Sequence, residues 1–311
     1  MKYLIIDKKQ RLTGNISTAS KRLIEEIKKR GMKYDFIYND QLEFLFKDGE
    51  TLIKANGIDI RDYTHIIFRG HFLHSDKEYH FKRYITDYVD MHNLKNPDKR
   101  ILIQNSEAIK NFPYYNKIAT AMFCSQHNIP YFDTYYRADG KYLQDREMLK
   151  EYPLILKEYT GVNRVKTIGG EEKIKKNVFK IEKDEDYKKI DGQNLDNFFL
   201  QEFSTVGEDY RVFVKLGKVI AGWKRKATDG FMTVKKGEYE MYNEPDQEIV
   251  DIAERFATIL SADFMAVDFM YIDDKPYVQE ISFHPGFKAY ETKIEGKPVN
   301  IAEAIITAFR E

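Results

Sequence analysis

The stretch AVDFMYIDDKPYVQEISFHPGF, residues 266–287, most narrows what this chain can fold into. Two apolar runs flank a polar Asp-Asp-Lys turn. Each run carries one carboxylate among residues of core type, Asp268 in the first and Glu280 in the second. With Asp273, Asp274 and Lys275 as a three-residue loop, Ile272 faces Pro276. Counted back two for two, Asp268 then faces Glu280, and Ser282 falls on the side of Glu280. Side chains directly opposite in an antiparallel pair stand about 5 Å apart at Cβ, close enough for two bare carboxylates to repel. Chains tolerate such a pair when a proton is shared or a cation lies between them. Carboxylate oxygens suit Mg²⁺ or Mn²⁺, with water and phosphate completing the shell. A one-residue slip of register would instead put the acids on opposite faces. The hairpin alone leaves both readings open.

The rest of the chain alternates strand and helix signals. KYLIID (2–7), YDFIY, YTHIIFRG and ILIQN (101–105) read as strands, and STASKRLIEEIKKRG (17–31) reads as a helix with a Ser or Thr cap and Gly31 as its stop. This predicts a parallel α/β unit over roughly the first hundred residues. PYYNKIATAMFCSQHN (113–128) reads as a helix with Pro113 near its start, and PLILK (153–157) as a buried strand. FFLQEF, YRVFVKL and VIAGW (199–223) read as strands, with Gly217-Lys218 as the turn between the last two. DQEIVDIAERFATIL (246–260) sets Ile249, Ile252, Ala253, Phe256, Ile259 and Leu260 on one helical face. NIAEAIITAF (300–309) closes the chain as a helix. The class is α+β.

Composition sets outer bounds. Lys plus Arg and Asp plus Glu are both 50, so no bulk charge favours nucleic acid or an anionic membrane. The single Cys124 excludes an intrachain disulfide and reads as a buried, inert thiol. The apolar run in MKYLIIDKKQ is too short for a signal-peptide core, and no stretch is long enough to span a bilayer, so a cytoplasmic location is expected.

LILKEYTG, LQEFSTVGEDYRVFV, GWKRKA, AVDFMYI and QEISFHPGF follow the order seen in ATP-grasp ligases, and most resemble the RimK-type branch, over roughly residues 105–309. The resemblance implies an N-terminal α/β domain (1–105), a small ATP-grasp subdomain (106–190) and a C-terminal subdomain carrying the metal site (191–311). It implies ATP and Mg²⁺ (or Mn²⁺) as cofactors. Lys117 and Lys157 would contact the nucleotide phosphates. Gln201, Glu202 and Phe203 would form the adenine segment, and Asp209 would hold the ribose region. Arg211 and Arg225 would be the catalytic arginines facing the phosphates and the acyl-phosphate. Asp268 and Glu280 would be metal ligands, joined by Ser282 where the branch carries Asn, and Arg69 would stand on the substrate side. The implied reaction activates a carboxylate with the γ-phosphate of ATP and lets an amine displace phosphate. Such phosphoryl transfer needs charge neutralisation and alignment more than covalent help. The partners expected are ATP, a carboxylate and an amine, with a peptide or protein tail among the candidates. An oligomer is compatible with the sequence.

The pattern breaks at Ser282, at Met232 and Val234 in DGFMTV where the branch has an Arg-x-Asn pair, and in EYTGVNRVKTIGG, which keeps Gly161 but fewer glycines. Arg164 or Lys166 could supply charge there. His284 reads as near the phosphates or as a structural hydrogen-bond partner. These changes keep two rivals in view: an ATP-binding protein with weak or no turnover, and an ATP-dependent phosphoryl transferase. His71, His74 and His80 match no zinc spacing and read as a solvated loop. The charge run 171–189 reads as a solvated face.

Overall fold

The computed structural model describes residues 1–9, 14–70, 76–112, 116–142, 152–159, 164–168, 171–175, 178–190, 195–204, 207–227 and 237–310. Met232, Val234, Gly161, Pro113, His71 and His74 lie outside them.

The N-terminal region begins β1 (Lys2–Asp7), α1 (Thr18–Lys29) and β2 (Lys33–Tyr38). A three-stranded antiparallel sheet follows, β3 (Leu42–Lys47), β4 (Glu50–Ala55) and β5 (Ile58–Asp59). Then come β6 (His65–Phe68), α2 (Asp76–Lys95) and β7 (Leu102–Ile103). β2, β1, β6 and β7 form a parallel sheet in that order, as the alternating pattern predicts. Ser17 caps α1 by accepting from Ser20 N at 3.1 Å, and Gly31 leaves the helix at φ 67°. α2 was not read from the sequence: His80, expected in a loop, lies inside it and stacks on Tyr84.

Next come α3 (Ser106–Asn111), α4 (Lys117–Gln126) and β8 (Thr134–Tyr135), then β9 (Leu154–Glu158), β10 (Arg164–Ile168), β11 (Glu171–Lys175), β12 (Val178–Ile181) and β13 (Phe198–Glu202). Asn116 caps α4 through Ala119 N at 2.8 Å. The expected charge run 171–189 supplies β11 and β12, and Arg164 and Lys166 lie on β10. β12, β9, β13 and β8 form the small sheet, around Leu154, Leu156, Ile181, Tyr187, Phe198 and Leu200. The strand 198–202 thus pairs with residues before 190, while Phe123 and Cys124 of α4 pack against the C-terminal sheet. Burial pushes the Cys124 thiol up to about 12, which suits an inert core residue.

The chain ends with β14 (Glu208–Lys215), β15 (Lys218–Ala227), β16 (Gly237–Met241), α5 (Gln247–Ile259), β17 (Phe264–Ile272), β18 (Lys275–Ser282), α6 (Lys288–Lys293) and α7 (Ile301–Ile306). Its five strands run in the order β16, β15, β14, β17, β18, all antiparallel. The β14–β15 turn is Leu216-Gly217, both with positive φ, one residue earlier than expected. A two-residue hairpin turn of that type matches the strand twist. Period-2 alternation splits this sheet. Val212, Val214, Val267, Phe269 and Val278 face α4 and α5. Phe213, Ala221, Phe264 and Ala266 face α6, α7 and, through Tyr3, Ile5, Leu23 and Ile27, the N-terminal sheet and α1. The N-terminal and C-terminal regions therefore share a core, and the small sheet has its own. Gly222 sits where a Cβ would lie 2.8 Å from Arg211 O and 2.7 Å from Tyr242 O, so only glycine fits this crossing. Among the described residues, no helix is long and apolar enough to cross a membrane.

Candidate active site

Odd positions 209–213 of β14 and 221–225 of β15, with even positions 264–268 of β17 and 280–282 of β18, share the face that carries Phe213, Ala221 and Ala266. Beyond those apolar residues the same face turns polar. Asp209 and Arg211 stand on β14, Arg225 on β15, Asp268 on β17, and Glu280 and Ser282 on β18. One alternation thus builds both the core and the site.

Asp268 pairs with Glu280 in register, as expected, but by a different route. The turn is Asp273-Asp274, both with positive φ, so Ile272 pairs with Lys275 and not with Pro276. That shorter turn alone would put Asp268 opposite Gln279. A β-bulge intervenes: Phe269 pairs with Val278, Gln279 has no strand partner, and Asp268 meets Glu280.

Each acid already has a cation. Arg211, opposite Asp268, closes a fork on it, Nε to Oδ1 and Nη2 to Oδ2, both 2.6 Å. Burial works against the guanidinium charge, but the Asp268 carboxylate outweighs it and holds the Arg211 pKa above its ordinary value. Lys117 Nζ, from the first residue of α4, lies 3.2 Å from Glu280 Oε2. Beside them Arg225 forks Asp209, Nε to Oδ1 at 2.9 Å and Nη2 to Oδ2 at 2.5 Å. Burial pushes the Asp209 carboxyl above the ordinary carboxylate range despite that partner. Three acids and three cations alternate, so the site is near charge balance. Its cations are the groups that phosphate oxygens could recruit.

The nucleotide candidates of the small sheet form a second group. Lys157 Nζ donates to Gln201 Oε1 at 2.6 Å, and Gln201 Nε2 donates to Thr134 Oγ1 at 2.9 Å. Glu202 N donates to Asp133 O at 2.9 Å, and Lys180 lies over the Phe203 ring. Lys117 N donates to Tyr159 O at 3.1 Å, just past β9, and Tyr131 Oη donates to Lys117 O at 3.2 Å, so α4 links the two groups. Tyr131 was not read from the sequence; one more tyrosine in a chain with 22 gave no signal. Arg69 reaches the end of β18, where Nη2 donates to Pro285 O at 2.9 Å.

Hard carboxylate oxygens facing each other fit Mg²⁺ or Mn²⁺ better than a soft or redox metal. Among the described residues no three His, Cys, Asp or Glu cluster as a metal site. Asp268 and Glu280 would therefore share an ion with water and phosphate, the usual habit of Mg²⁺.

A model of the RimK-like ATP-grasp domain matches residues 117–309. The chain belongs to the RimK-like ATP-grasp family. Solved ATP-grasp structures share its fold along nearly the whole length. A structure of the ATP-grasp ligase PsnB, complexed with a phosphomimetic variant of minimal precursor, Mg and ADP, aligns at TM-score 0.63 and 16% identity, over 98% of each chain. The macrocyclase MdnC from Microcystis aeruginosa MRC, bound with precursor peptide MdnA, aligns at TM-score 0.68 and 11% identity, over 98% of each. A RimK domain ATP-grasp protein from Sphaerobacter thermophilus DSM 20745 aligns at TM-score 0.61 and 13% identity, over 97% of each. A search of curated proteins finds no match.

Proposed function

We propose that the chain is an ATP- and Mg²⁺-dependent carboxylate–amine ligase that forms an amide or peptide bond. The γ-phosphoryl group would pass to a carboxylate oxygen with release of ADP, and an amine would then expel phosphate from the acyl-phosphate. The observation that carries this reading is the in-register Asp268–Glu280 pair, each acid neutralised by a cation that phosphate can recruit. Bound Mg²⁺ would neutralise charge on the phosphate oxygens. Lys157 and Lys117 supply point charges for phosphate, and the forks of Arg211 and Arg225 supply planar donors. Gln201 and Glu202, paired to neighbouring backbone and side chains, form the base-side wall. Arg69 stands on the acid-substrate side. A peptide is the favoured substrate, because PsnB and MdnC are described in complex with precursor peptides.

Ser282 favours one rival, a nucleotide binder without turnover, since its hydroxyl already accepts from His284 N at 3.2 Å. ADP release should be measured against short peptides bearing acidic and basic side chains, with products weighed by mass spectrometry. ADP release that requires both a carboxylate and an amine, with loss of one water from the joined product, supports the ligase. A stable phosphorylated product would mark a phosphoryl transferase. Mg²⁺-dependent ATP binding without ADP release for any pair would mark the non-catalytic reading.

A further inference from the structure

Three consecutive residues after β18 each accept a hydrogen bond from a different cation. Lys82 Nζ lies 2.7 Å from His284 Nε2, and an ammonium can only donate. Arg69 Nη2 donates to Pro285 O at 2.9 Å, and Arg211 Nη1 to Gly286 O at 3.4 Å. Lys82 comes from α2 and Arg69 from the end of β6, both in the N-terminal region. Arg211 is the residue that forks Asp268. Lys82 is 5% exposed and His284 6%, so this bond is sheltered from water, where it is worth more than a surface contact. The backbone of His284 donates to Ser282 Oγ, and Ser282 pairs with Ala266, two residues from Asp268. From α2, contacts therefore run through His284 to Ser282, and along the chain through Gly286 to Arg211 and Asp268.

We propose that Lys82 is a positioning residue: through His284 it fixes the 284–286 segment, and with it the Ser282 hydroxyl, in the arrangement that admits Mg²⁺ with nucleotide. The inference rests on the nucleotide–metal reading of Asp268 and Glu280. Burying an ammonium sacrifices its hydration, so a mere packing role would be better filled by an apolar side chain. The bond spans 202 positions of sequence and joins the region carrying Arg69 to the strand carrying Glu280.

Calorimetric titration of ADP with and without Mg²⁺ tests this, on the full chain, with thermal melting as a fold control. In Lys82→Met and in His284→Leu, the gain in ADP affinity from Mg²⁺ should fall about fivefold, the scale of one buried hydrogen bond, while metal-free ADP affinity stays at the wild-type value. His284→Gln keeps an acceptor oxygen and should retain most of the gain. The double variant Lys82→Met/His284→Leu should be no worse than either single one, because both remove one bond. The proposal is overturned if folded variants keep the full Mg²⁺ gain, if affinity drops equally with and without metal, or if the losses add. If Lys82→Met fails to fold, the comparison of His284→Gln with His284→Leu decides alone, and equal losses in the two overturn it. A wild-type chain that binds no nucleotide removes the ligase reading first and this inference with it.

Discussion

Arg211 grips Asp268 with two parallel bonds of 2.6 Å, so the guanidinium occupies the carboxylate oxygens that a metal ion would need. On the proposed metal role of Asp268, ion and arginine would compete for one acid. Arg211→Gln should therefore raise the affinity of the nucleotide-free chain for Mn²⁺ severalfold, a reasonable scale for removing a cation about 4 Å away in a partly screened site. Turnover should fall in the same variant, because the fork is lost to phosphate. Electron paramagnetic resonance titration of Mn²⁺ checks the first outcome; unchanged or weaker affinity would mean the two do not share Asp268.

Asp268→Asn and Glu280→Gln should lower ADP release at least ~100-fold, the usual scale for removing one element of electrostatic stabilisation. Circular dichroism should show the sheet intact. Normal turnover in both would remove the metal assignment.

Lys157→Met should weaken ADP binding about tenfold, as expected for loss of one charge-assisted bond to phosphate. In the free chain it donates to the neutral Gln201 side chain. Calorimetry and melting together distinguish a binding role from a structural one.

Asp209→Asn should destabilise the chain by about 1–3 kcal/mol, since it leaves the half-buried Arg225 guanidinium beside a neutral amide. Denaturant unfolding measures this. A loss under ~0.5 kcal/mol would show the fork to be solvated.

Asp263 carries a pH signature away from the site. Its Oδ2 accepts from Asn105 N at 2.6 Å, and burial raises its pKa to about 6 from 3.8. A carboxyl raised by folding contributes stability that is fully present below its unfolded pKa and lost as pH rises through the folded one. Relative to Asp263→Asn, the wild type should lose about 3 kcal/mol between roughly pH 4 and 6, then level off. A flat difference across that window would show that Arg310, 3.4 Å away, compensates the burial.

Much of the site was legible because its residues obey local rules. Period-2 counting placed Asp268, Glu280 and Ser282 on one side of a hairpin, and the ordered motifs marked the family and, through it, Asp209 and Arg211. The facing of Asp268 and Glu280 was reached through a turn one residue too long, and it held because the bulge at Gln279 shifts the pairing by one in compensation. Nothing local marks a bulge, since it is set by how β18 must twist against its neighbour. α2 escaped notice because its first residues resemble a polar loop and its 20 positions carry no clean apolar stripe.

By itself the sequence determined the α+β class, the parallel N-terminal sheet, a Ser or Thr cap on the first helix, and the presence of two acids in one apolar hairpin. Those depend on propensity and spacing within a few residues of chain. Only the tertiary structure decided which cation meets which acid, that Lys82 reaches His284, and that strand 198–202 joins the small sheet. Such pairings are chosen by packing between segments up to two hundred residues apart, and no local pattern encodes a partner at that distance.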